Sequence, residues 1–186
     1  MKKKDNQSKR GLGIEGIFIF LDYYSSLSRR KAICELFTPF VIAIMCSLIY
    51  LSQGLVHSAL QKLSDILPAA VSVLIGFSAM IVTLLTTGES KRVNELREIS
   101  TGKEVRGKPL TYYQKILIQN IHVLFNEIIL LLVVFIFLYL NGLKILNDIW
   151  LVVFLAIETY LLINVLVSIF GTIATIYFAF YNSSKD

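Results

Sequence analysis

The chain is poor in the residues from which soluble active sites are made. Its 186 residues include two cysteines, two histidines, three prolines and one tryptophan, and only 17% are charged. Cys34 and Cys46 allow one disulfide at most, and the spans read below put Cys34 beside the membrane and Cys46 inside it, so none is expected. No neighbour is arranged to activate either thiol, and small apolar filler is the reading for both. One histidine with distant glutamates is a poor ligand set, so neither a metal nor a cofactor is expected. A phosphate-cradling glycine loop, an HExxH helix and a nucleophile elbow are all missing, and no serine stands beside a base. No catalytic residues are assigned, and an enzyme is not expected. Nor is there a cleavable signal peptide: the short apolar stretch before Asp22 runs into charge without a small-residue cleavage site.

What the chain has instead is long apolar runs, with 55% hydrophobic residues. Four runs reach the roughly 20 residues that cross about 30 Å of hydrocarbon, near 37–56, 66–87, 117–140 and 149–172, the last staying apolar to about Phe180. In lipid a backbone must satisfy itself, and strands of alternating polarity are missing, so all four are read as helices. The expected fold is an all-α integral membrane domain over 37–180, its four helices forming two antiparallel hairpins joined by a loop over 88–116.

Eight basic residues precede the first run and seven lie between the second and third, whereas the other two connections hold only Lys62 and Lys144. That asymmetry places both termini and the central loop in the cytoplasm. The net charge of +5 is thus read as a topology signal, with no direct nucleic-acid binding expected. Residues 1–36 form a basic tail and an interfacial helix, with Tyr23 and Tyr24 at the headgroups or packed on the central loop; 181–186 form a short tail. Arg92, Arg97, Lys103, Arg106 and Lys108 offer a basic surface to acidic lipids or to a soluble partner.

Local signals add detail. Pro39 and Pro68 suit the first turns of the first and second helices, where a missing N–H does little harm, and HSALQKLSD is the outer connection. Ser72, Gly76, Ala79 and Thr83 recur at spacings of three and four, a smooth strip that receives either a helix of the same chain or a second copy. ESKRVNELREIS reads as a solvated helix and STGKEVRGKP as a turn, and Thr111 with Gln114 has capping-box spacing for a helix starting at Tyr112. Asn141 and Gly142 stop the third helix, Asn147 with Asp148 caps the fourth, and a bend or tilt is expected past Gly171.

The third run carries the chemistry. Glu127 sits near its middle, where a lone acidic residue costs roughly 2.5–3.5 kcal/mol to insert and so faces a protein interior, a partner or a proton. Gln119, Asn120, His122 and Asn126 share its half of the helix, Glu158 of the fourth run falls at comparable depth by residue count, and Asn164, two turns further along, joins the carboxyls or faces Asn120 and His122. Three uses are open: interhelical hydrogen bonds, a polar lumen in which paired carboxyls share protons, or a lipid or ligand pocket. With four spans, a pore would need several copies.

In its four-span layout, its basic central segment after LIGFSAMIVTLLTTGES and the LTYYQKI leading into the third run, the chain resembles the membrane subunits of the Kiwa anti-phage defence system, the KwaA family. The resemblance covers the layout of the whole chain and supplies no catalytic residues. It implies a homo-oligomer, such as a tetramer, in contact with membrane lipids. It further implies that the protein senses phage infection and works with a soluble KwaB-like cytoplasmic partner. The competing expectation is a small homo-oligomeric proton or cation channel using Glu127 and Glu158.

Overall fold

A computed structural model describes residues 12–27, 31, 33–88 and 91–182. In chain order these form α1 (Leu12–Ser26), a π-helical turn (Ile33–Phe37), α2 (Thr38–Ser52), α3 (Val56–Thr87), α4 (Lys91–Glu98), β1 (Ser100–Val105), β2 (Lys108–Thr111), α5 (Tyr112–Gly142) and α6 (Asp148–Asn182). The chain is mostly helical, and four of its helical stretches are long and apolar enough to cross a membrane: Ile33–Ser52, Val56–Thr87, Tyr112–Gly142 and Asp148–Tyr177. This is the architecture of a multi-pass membrane protein.

Neighbours in sequence are not always the main neighbours in space. A short turn with Gly54 at φ +66° joins α2 to α3, yet α2 packs chiefly on α6, while α3 packs chiefly on α5 and α5 on α6. Two apolar cores run along the bundle. Val56, Leu60, Phe137, Leu151 and Leu155 form one, and Leu67, Val71, Leu130 and Val134 the other. Val56, Leu60, Ser64, Leu67 and Val71 repeat every three or four residues. That period explains why HSALQKLSD, expected as a connection, is the first part of α3: its apolar positions extend the buried face of the span. Pro68 therefore lies inside α3 instead of opening it. Likewise α6 passes through Gly171 without a break, whereas α5 ends at Gly142 as expected, with Lys144 just beyond it in the left-handed conformation at φ 55°.

The all-helical expectation fails in the central segment. β1 and β2 pair antiparallel with Val105 opposite Lys108 and Lys103 opposite Leu110, and Arg106 (φ 53°) and Gly107 (φ 71°) make the turn. Positive φ at both central residues is the geometry that matches the twist of a two-residue hairpin. The sequence signal was the alternation of half-buried Thr101, Lys103 and Val105 with exposed neighbours, hidden by the glycines and the proline that read as a turn. Capping of α5 follows the expected box: Gln114 N–H donates to Thr111 Oγ1 at 3.2 Å, and Thr111 N–H to Gln114 Oε1 at 3.1 Å. α4 is more than a solvated helix, since Leu96 is buried with Ile116 against Leu85, Tyr113 and Ile176. This small core fastens the hairpin end to the bundle.

Candidate functional site: a polar ring at the hairpin end of the bundle

Four elements converge where α1 meets the bundle. Pro39, in the first turn of α2, has no N–H to give the carbonyl one helical turn back, which belongs to Glu35. Asn164 of α6 fills that vacancy, its Nδ2 donating to the Glu35 carbonyl at 2.7 Å. Asn164 Oδ1 in turn accepts from Asn126 Nδ2 of α5 at 3.0 Å, and the same Nδ2 lies 3.4 Å from both ring nitrogens of His122. Tyr23 of α1 stacks on the His122 ring, with centroids 3.7 Å apart and planes 13° from parallel, and its hydroxyl donates to Glu35 Oε2. The ring therefore closes: Tyr23, His122, Asn126, Asn164, Glu35 and back to Tyr23.

Burial accounts for its rigidity. Tyr23 is 1% exposed, and loss of water pushes its phenol well above the usual tyrosine range, with the Glu35 carboxyl raising it further. Phe20 and Tyr24 meet His122 edge-on at 5.1 and 5.7 Å. Polar groups withdrawn from water hold a single arrangement only when partnered, and here, apart from His122 and Asn126 of α5, the partners lie on different elements. Gly171 lets α6 come close: a Cβ there would stand 3.1 Å from Gln119 Nε2 and 3.4 Å from Glu35 Oε1. Thr175 Oγ1 donates to Gln119 Oε1 at 3.4 Å. Gly171, past which a bend or tilt was expected, is a notch for two polar side chains.

The two intramembrane glutamates are both 0% exposed, but they do not meet. Ser64 Oγ donates to Glu158 at 3.2 and 3.1 Å, and Ser78 Oγ donates to Glu127 Oε1 at 2.9 Å. The two serines are 14 positions apart on α3, or about 21 Å along its axis, so the carboxyls do not share a proton. Counting depth from the α5–α6 turn missed this because it ignores how the helices cross. Asn120 stays outside the ring and donates to the Ile116 carbonyl of its own helix at 2.9 Å. Tyr23, Glu35, Ser64, Ser78 and Gly171 were not foreseen as site residues. For the serines the signal was present: both lie on the buried stripe of α3.

Two of the basic residues assigned to a partner surface are engaged within the chain. Arg106 Nε pairs with Asp22 Oδ1 at 2.7 Å, its guanidinium lies 4.7 Å from the Phe18 ring centroid, and Lys103 Nζ donates to the Ser26 carbonyl at 2.7 Å. Together they clamp α1 to the hairpin. Of the two placements expected for this helix, the structure shows it packed on the central segment and on α5. Arg97 lies over the Tyr113 ring at 4.8 Å, Lys108 is exposed, and the Arg92 side chain lies outside the described residues.

The strip of Ser72, Gly76, Ala79 and Thr83 is exposed along its length, and a Cβ at Gly76 would meet nothing within 4 Å. Among the described residues no helix covers it, because α3 turns its Leu60–Leu67–Val71 stripe inward instead. Among the described residues no group of three or more His, Cys, Asp or Glu is placed to hold a metal ion. No family model, curated protein or solved structure matches this chain.

Proposed function

We propose that this protein is a non-enzymatic subunit of the bacterial inner membrane that self-associates and recruits a soluble cytoplasmic protein in anti-phage defence, on the pattern of the Kiwa membrane subunits. In this reading the four spans leave both termini and the 88–115 segment in the cytoplasm, where the basic residues concentrate. The observation that carries it is the polar ring together with the α1 clamp. Near the C-terminal end of α1, Tyr23 connects it through Glu35 to α6 and by ring stacking to α5, and Asp22 and Ser26 connect it to the hairpin. A shift in the packing of the spans thereby reaches the surface offered to a partner. The open strip on α3 supports self-association, since helices in lipid associate through close backbone approach at small residues.

The test has two arms. Reversing the charge at Arg97 and Lys108 should abolish co-purification of the soluble partner, a KwaB-like protein on this reading, while leaving the subunit in the membrane. In liposomes the purified protein should pass no protons or cations. Conductance that disappears in the Glu127→Gln, Glu158→Gln double variant would establish the channel instead, and labelling of residues 88–115 from outside intact spheroplasts would invert the topology.

A further inference from the structure

The hairpin and the first turns of α5 line a cleft of about 290 Å³ that lies outside the ring and shares only Arg106 with the clamp. Buried Leu110 is its floor, half-buried Leu117 and Ile118 form one side, and exposed Arg106, Lys108 and Gln114 stand at its lip. Leu117 is also where the apolar run of α5 begins. Polar lip and apolar wall thus straddle the level at which a bilayer changes from headgroup to hydrocarbon. Farther along the helix, beyond half-buried Ile121 and Leu124 and a Phe125 that packs on Phe20 of α1, Ile128, Leu132 and Phe135 lie on the same face as Leu117, and all three are exposed.

Charge selects the occupant. The hairpin carries Lys103, Arg106 and Lys108 against the single acidic Glu104. Arg106 uses Nε on Asp22 and Nη2 on the Phe18 carbonyl, which leaves donors of its five N–H groups unspent. The Lys108 side chain has no hydrogen-bond or ion-pair partner among the described residues, its backbone alone pairing with Val105. We infer that this cleft is a binding site for one anionic phospholipid, its phosphate held by Lys108 and Arg106 and an acyl chain laid along Leu117 and Ile118. A free phosphate would satisfy the lip alone. The apolar wall, running on into a lipid-facing surface, is what assigns the phosphate to a lipid.

Native mass spectrometry of the full chain released from detergent micelles tests this, with phosphatidylglycerol, phosphatidylcholine and glycerol 3-phosphate as probes. Phosphatidylglycerol should bind once per chain, phosphatidylcholine roughly tenfold more weakly and glycerol 3-phosphate not at all. Lys108→Glu should weaken phosphatidylglycerol binding about tenfold with helical content and elution volume unchanged, and Lys108→Arg should keep it. Ile118→Trp, which fills the cleft, should remove it. Equal binding of the two lipids, displacement by glycerol 3-phosphate, or full binding by Lys108→Glu would each overturn the assignment. The measurement uses no protein partner, so its failure and that of the recruitment reading are separate.

Discussion

Two strips of small residues lie on α2 and α3, and the fold treats them oppositely. On α2 the buried positions are Pro39, Ala43 and Ser47, four apart, with Ala43 at 0% exposure, while Phe40, Met45 and Leu48 point outward. On α3 the strip of Ser72, Gly76, Ala79 and Thr83 is longer and smoother, and it is open. The difference lies in the opposite faces. α2 has mostly bulky residues elsewhere, so the small face is the one that lets α6 approach, whereas α3 has a stripe built mainly of Leu and Val to offer α5. A small-residue strip marks where a helix can be approached closely. It does not say by what.

The sharpest way to break that comparison is to fill both strips. Ala43→Phe forces a bulky ring between α2 and α6 and should cost about 1–3 kcal/mol, read from unfolding in mixed micelles; an unchanged midpoint would mean the α2–α6 contact is loose. Next in size, Asn164→Leu strips the Glu35 carbonyl and Asn126 of a partner together and should cost about 1–2 kcal/mol. It should also expose the α1 segment to limited proteolysis. Arg106→Gln, which removes an ion pair whose side chains are 52% and 22% exposed, should change stability by about 0–1 kcal/mol while still loosening α1 in the same digestion. Gly76→Leu should have the smallest effect on folding, within about 0.5 kcal/mol, because it meets nothing in its own chain. It should instead abolish self-association in cross-linking experiments. Normal association in that variant would remove the strip from the proposed contact.

Residue pattern made some of this legible in advance. The long apolar runs announced four helices, and the Thr111–Gln114 pair marked the first turn of α5, because length, hydropathy and caps are properties of consecutive residues. Asn126 and Asn164 were singled out and do meet. Glu35 was passed over because it follows a basic stretch and precedes the apolar run, where a carboxylate normally sits in water. Only a proline four residues on and an asparagine on another helix make its carbonyl and carboxyl part of the interior. The hairpin was hidden for the opposite reason: its strands are short, and the glycines and proline that shape a β-bulge and a turn also punctuate a loop.

By itself the sequence determined how many helices are long and apolar enough to cross a membrane, where several of them start, and that two carboxyls would lie among apolar residues. Those outcomes follow from local hydropathy and backbone satisfaction, which do not depend on which helix lies beside which. The tertiary structure decided which small strip was covered and which serine each glutamate met. It also decided that Tyr23, His122, Asn126, Asn164 and Glu35 would close a ring. These depend on how the helices cross and slide against one another, and residue spacing along a single helix carries no record of that offset.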